Sequence, residues 1–220
     1  YSNLGGFTQT QLDNIDNTFK ANSQIDWNAM YIANQNSAFA GRSVYVLYED
    51  RTDDNLLNAN SILNSSLSDH IVLNAGINVR KLRSHNHQNL MDLMGGQYFL
   101  DIDPFYAGNA SQSDLNNPDR RVGENQTYGY NYLLHALTFD GFTQFKFTYD
   151  KVDFYLAQNF SRTEYQREGL YRNGIYADNS FGKGKSVTFE NFGFKGGLTY
   201  KLNGRNYFDF NGLYQTKAPS

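Results

Sequence analysis

The chain has 220 residues, a formal net charge of −3 at pH 7, no cysteine, and 17 Tyr, 17 Phe and one Trp. Without cysteine there are no disulfides, thiolate metal centres or thiol nucleophiles, and a slightly acidic chain with no basic block argues against a nucleic-acid partner. A mean hydropathy of −0.64 and no long apolar run exclude membrane-spanning helices, but not spanning strands, whose alternation hides hydrophobicity from window averages.

The first 42 residues precede any strand pattern. Thr8 opens a Thr-x-x-Gln capping box, and Leu12, Ile15 and Phe19 follow at helical spacing, so a helix is expected over 8–19. From 57 to 79 the odd positions turn apolar: Leu57, Ala59, Leu63 and Leu67, then Ile71, Leu73, Ala75, Ile77 and Val79. Such period-two alternation marks strands. Ser68-Asp69-His70 lies between them, and a three-residue loop there pairs Leu67 with Ile71 and Leu63 with Ala75. Asn89 to Met94, followed by Gly95-Gly96, reads as a short helix with a glycine C-cap. Residues 101–126 are rich in Asp, Asn, Gly and Ser, as an exposed loop would be.

The next strand, 127–149, changes parity. Tyr128, Tyr130, Tyr132 and Leu134 are even, whereas Phe145, Phe147 and Tyr149 are odd, so a bulge is expected at Asp140-Gly141. Asp150-Lys151 then makes a two-residue turn that pairs Phe147 with Phe154, Phe145 with Leu156 and Lys146 with Tyr155. In 192–214 the apolar positions are even. A three-residue loop at Asn203-Gly204-Arg205 pairs Tyr200 with Phe208 and Leu198 with Phe210.

The turns within hairpins are short. The connections at 83–126 and 165–185, and residues 1–42 ahead of the first strand, are long. Short turns at one end and long loops at the other is the layout of an antiparallel transmembrane β-barrel, with periplasmic turns and extracellular loops. The expected fold is therefore all-β: about six long strands within 43–216, with 217–220 starting the next loop. Six strands close no barrel wide enough for a plug. A chain that starts at Tyr1 and stops just after a strand reads as a segment of a larger one.

Several stretches carry a resemblance: RSVYVLYEDR at 42–51, LMGGQYFLD at 93–101, SDLNNPDRRVGE at 113–124, YQREGLYRNG at 165–174, NSFGKGKSVTF at 179–189 and GGLTYKLNGRNYFDFNGLYQTKAPS at 196–220. Together they resemble the barrel of the Bacteroidota type of TonB-dependent outer-membrane receptor, the carboxypeptidase-regulatory-like and SusC-like kind. The resemblance implies a 22-stranded barrel around a plug, in the bacterial outer membrane. It implies nutrient uptake driven through TonB, with outer-membrane lipid, the rest of the receptor and a surface lipoprotein as partners. The plug and TonB box are not among these residues. Two alternatives remain open: a soluble or surface β-domain that binds a ligand through its loops, and a small self-contained outer-membrane barrel.

Candidate residues follow from this layout. Arg80, Lys146, Asp153, Asn159, Lys195 and Asp209 fall on the polar parity and would face the lumen. Trp27, Tyr31, Tyr98, Phe99, Phe105 and Tyr106 lie in loops, where aromatic rings either stack on a ligand or pack the loops together. Asp101, Asp103, Asp114 and Asp119 supply hard oxygens of the kind calcium takes, without an EF-hand spacing; no other cofactor is expected. His85 and His87 share a strand face, but a zinc, copper or nickel site needs three or four ligands, and no third is evident. Gly182-Lys183-Gly184-Lys185-Ser186 ends like a P-loop, but Asn179 stands where its first Gly belongs and a strand follows. The Asp53-Asp54 pair has no nucleophile or metal helix around it, and no enzyme is expected.

Overall fold

The computed structural model describes residues 8–21 and 23–217. Two helices come first, α1 (Gln9–Ala21) and α2 (Trp27–Asn34). The strands are β1 (Leu47–Ser68), β2 (Ile71–Asp92), β3 (Phe99–Leu100), β4 (Arg121–Val122), β5 (Thr127–Thr148), β6 (Val152–Gly169), β7 (Gly182–Lys183), β8 (Val187–Asn203) and β9 (Asn206–Gln215). The long strands form one antiparallel sheet in the order β1-β2-β5-β6-β8-β9, with β7 beside β6, and β3 and β4 make a small separate ribbon. The sheet is open: among the described residues β1 and β9 each have one unpaired edge.

Helix α1 begins as its capping box dictates, with the Thr8 N–H and hydroxyl both donating to Gln11 Oε1 and the Gln11 N–H donating to Thr8 Oγ1. In the sheet, β1, β2 and β5 each run for 22 residues, and their registers follow the alternation. Phe147 faces Phe154, Phe145 faces Leu156, Leu63 faces Ala75, and Leu198 faces Phe210. Phe147 and Phe154 stack at 4.3 Å between ring centroids.

Two turns differ in detail from the three-residue loops expected. Ser68 pairs with Ile71 and Asn203 with Asn206, with register shifts at Ser66/Ser68 and Lys201/Asn203. Each is a two-residue turn with a bulge at Leu67 or Leu202. The offset deeper in the strand is the same, because one bulged residue plus two turn residues replaces three loop residues.

Three expectations fail. The bulge does not sit at Asp140-Gly141, where β5 pairs without interruption to both β2 and β6. It lies at Gly129-Tyr130, where the register of β5 on β2 shifts between His87 and Gln88, and Gly129 takes φ +67°. No insertion is needed lower down because the polar face accepts the even-numbered apolar residues. Phe142 lies across Gly76, and the Arg167 guanidinium stacks over Tyr132 at 5.0 Å. Asn89–Met94 is not helical: β2 continues to Asp92, and Leu90 is withdrawn into a core with Val122 and Tyr128. The connections are accordingly 93–126 and 170–186, shorter than the 83–126 and 165–185 expected. Residues 1–7, 22 and 218–220, parts of the expected end regions 1–42 and 217–220, lie outside the described residues.

The register sorts side chains onto two faces. One face carries Ile71, Leu73, Ala75, Ile77 and Val79 of β2 beside Leu137, Phe139, Phe145 and Phe147 of β5. Next come Val152, Phe154, Leu156 and Phe160 of β6, then Phe192, Phe194 and Leu198 of β8, and Phe208 and Phe210 of β9. Thr143 and Gln158, paired with each other, interrupt this band. Beyond Val79 and Phe160 the same face becomes charged, with Arg51, Asp53, Lys81, Arg83, Arg162 and Glu190. Nothing in the described residues covers the band: Leu57, Ile77, Leu156, Phe194 and Phe210 are all exposed.

Candidate functional site: the loop cap and the two faces

The buried core lies above the apolar band, in a cap made of loops. Leu90, Leu93, Val122 and Tyr128 are buried together, with Val46 and Phe99 packed on them. Asn34, at the end of α2, is the hub. Its Oδ1 accepts from the Val44 and Tyr45 N–H groups at 2.7 and 2.9 Å, and its Nδ2 donates to the Tyr45, Leu93 and Met94 carbonyls at 2.7, 3.0 and 3.1 Å. One side chain thus bonds five buried or half-buried backbone groups of two segments, groups that are costly to bury unpaired. Ser43 adds a hydroxyl bond to the Leu93 carbonyl at 2.7 Å.

A second knot joins 93–126 to 170–186. The Asp101 carboxylate, 3 % exposed, pairs with Arg120 at 2.5 Å, and Arg120 also donates to the Thr127 carbonyl and stacks over Tyr171 at 4.7 Å. Asp114 accepts from the Arg172 and Asn116 N–H groups at 3.0 and 3.1 Å and from Asn117 Nδ2 at 2.7 Å. Asp119 accepts from Gln112 Nε2 at 2.9 Å, and Asp103 caps the Phe105 N–H at 2.9 Å. Each of the four carboxylates considered for calcium thus already has its own hydrogen-bond partners, within its turn for Asp103 and across segments for Asp101 and Asp114. Among the described residues no three of them come within ligating distance of one another.

The six loop aromatics do not form one surface. Phe99 packs edge-on against Tyr128 at 5.3 Å, and Arg121 lies over the Tyr98 ring at 4.5 Å, so both are used inside the cap. Trp27 and Tyr31 are partly exposed on α2, whose N-terminus is capped by Asp26. Phe105 is 92 % exposed and Tyr106 half-exposed. Their segment is tied to the one bearing Ile175 and Tyr176, both also exposed, by the Gly174 N–H to Gln112 carbonyl bond at 2.8 Å. The sequence pattern did not mark this tie between the two segments, which depends on two loops meeting.

The six polar-face candidates share one side of the sheet, as their register requires. Asp153 accepts from Lys201 Nζ at 2.8 Å, Asp209 accepts from Thr199 Oγ1 at 2.8 Å, and Lys195 lies over the Tyr155 ring at 5.5 Å. Asn159 fills the space over Gly193, while Arg80 and Lys146 stand beside Thr138 and Tyr155. Asparagines bond across strands on this face, Asn64 to Asn74 at 2.6 Å and Asn78 to Asp140 at 3.1 Å. It is a polar, hydrogen-bonded wall with charges of both signs.

On the opposite face, above the apolar band, Asp53, His85 and His87 place three metal-ligating atoms within 4.8 Å of one another. His85 and His87 stack at 4.1 Å. Burial, then the neighbouring His85, holds the His87 imidazole below its ordinary value, favouring the neutral ring. Sequence reading found the two histidines but not the carboxylate, which the β1–β2 register sets directly opposite His85. No protein-family model, curated protein or solved structure shows a significant match to the chain.

Proposed function

We propose that this chain is part of an outer-membrane β-barrel receptor of the TonB-dependent, SusC-like kind, binding a nutrient at its loop cap and importing it. The observation that carries this reading is the uncovered apolar band, backed on the other face by a polar wall. In β2 it runs over 71–79 and in β5 over 137–147, close to the roughly 9–11 residues a tilted strand needs to cross a bilayer. A water-soluble fold does not leave so wide an apolar face without a second layer. The charged residues that follow immediately mark where lipid would give way to water. The open edges at β1 and β9 call for flanking strands in lipid, where unpaired backbone is costly.

On this reading Arg80, Lys146, Asp153, Asn159, Lys195 and Asp209 face the lumen and the plug, and the exposed aromatics of the cap meet the incoming nutrient. TonB coupling and a surface lipoprotein partner rest on the sequence resemblance. The test is a nitroxide scan of the full-length protein in bilayers along 152–161 and 192–201. Oxygen accessibility is expected to peak at Phe154, Leu156 and Phe194, and accessibility to a water-soluble nickel reagent at Asp153, Asn159 and Lys195. A soluble monomer, or equal water access on both faces, overturns the membrane reading. Energised uptake that persists without TonB overturns the transport reading.

A further inference from the structure

We infer that Asp53, His85 and His87 form a binding site for one divalent ion of the zinc, nickel and copper group, clipping β1 to β2 above the apolar band. It does not rest on the membrane reading, because strand register alone assembles it: Asp53 is the direct partner of His85, and His87 follows two residues on along the same face. Three features point to a ligand rather than to a chance cluster.

The first is the orphan nitrogen. His87 is 6 % exposed and its Nδ1 has no hydrogen-bond partner, a costly state for a buried polar atom that a metal bond removes. The second is the orientation of His85. Its Nε2 lies 2.7 Å from Asn131 Oδ1, across the bulge in β5. An amide oxygen there accepts the Nε2 proton and leaves Nδ1 as the lone-pair nitrogen, the way ligating histidines are usually oriented. The third is the carboxylate. Arg51 donates to both Asp53 oxygens at 3.1 Å, and a carboxylate has further lone pairs for a metal while keeping such a partner.

The donor set, two imidazoles and one carboxylate, suits borderline metals rather than calcium. The 4.8 Å spread closes by side-chain rotation toward the about 3.3 Å edge of a tetrahedron with 2.0–2.1 Å metal–nitrogen bonds. Three protein ligands leave the fourth position to water. The Arg51 charge, next to the site, opposes a second cation, so micromolar rather than picomolar affinity is expected.

The test is calorimetric titration of the purified full-length protein with Zn²⁺, with Cu²⁺ electron paramagnetic resonance as a second readout. One Zn²⁺ per chain is expected, weakened at least tenfold by His87→Gln and by Asp53→Asn, and unchanged by His70→Gln in the turn that precedes β2. The Cu²⁺ spectrum of the unaltered protein should show two nitrogen ligands, a readout that stands even if a variant fails to fold. No stoichiometric Zn²⁺ binding below about 100 µM, binding indifferent to both substitutions, or a spectrum with fewer than two nitrogens overturns the site.

Discussion

Asp101 Oδ1 accepts a hydrogen bond from the Gly129 N–H at 2.8 Å, joining the first long connection to the β-bulge at the top of β5. The bulge frees an amide from the strand ladder, and a buried carboxylate uses it. The same carboxylate holds Arg120. Asp101→Ala therefore leaves both a guanidinium and a backbone donor without their partner. The expected loss is about 3 kcal/mol, read by chemical denaturation, with hydrogen exchange rising first at Gly129 and Thr127. Asp101→Asn keeps an acceptor for Gly129 and should lose less.

Two glycines of the fold should respond unequally to alanine. A methyl group at Gly174 would lie 1.9 Å from the Asn109 carbonyl oxygen, which is backbone and cannot turn aside. Gly174→Ala is expected to cost about 1–3 kcal/mol and to expose the Leu115 amide, which bonds to the Arg172 carbonyl. At Gly76 the nearest atom is the edge of the Phe142 ring, 2.5 Å away. That ring can swing outward, so Gly76→Ala should change the denaturation midpoint little. A large loss there would mean that Phe142 is wedged.

The two faces predict an asymmetry between adjacent positions. Phe194 lies in the apolar band and Asn159 on the polar wall. Phe194→Arg should cost about 2–4 kcal/mol when the full-length protein is unfolded from bilayers, and Asn159→Arg well under half of that. Equal costs would contradict the assignment of faces.

Tyr130 sits in the bulge, well above the apolar band, and donates to Asp50 Oδ1 at 2.9 Å. Burial, then that hydrogen bond, raises its phenol to about 12 from an ordinary 10.0. The unfolded chain therefore ionises first as pH rises. This contribution to stability is intact below pH 10 and is lost as pH climbs toward 12. Tyr130→Phe should remove that part of the alkaline slope, and the phenolate absorbance lost from the titration should be a part that appears late, near pH 12.

The register of the three hairpins was legible because alternation and turn residues are local signals, and the face assignments followed from it. What escaped depended on partners far away in sequence. The change of parity in β5 looked like a bulge at Gly141, but Tyr132 and Phe142 find niches on the polar face supplied by Arg167 and Gly76. Asn89–Met94 has helix-like spacing, yet Leu90 goes into a core completed by Val122 and Tyr128. Asp53 gained its meaning only when β1 was laid against β2. Of the loop aromatics, Phe99 proved to belong to the cap's own packing, and no pattern in the sequence separates it from Phe105.

The turns at Asp69-His70, Asp150-Lys151 and Gly204-Arg205 give the molecule a kinetic grain. Pairing that starts at a two-residue turn closes almost no loop, so these three hairpins can zip early. The seams between β2 and β5 and between β6 and β8 must instead close 93–126 and 170–186. Asn34, Asp101 and Asp114 hold those segments folded, which shortens the effective search. Pulsed exchange during refolding should protect Phe147 and Phe154 before Arg80 and Thr138, which pair across the β2–β5 seam, and a cap weakened at Asp101 should slow the second phase while sparing the first.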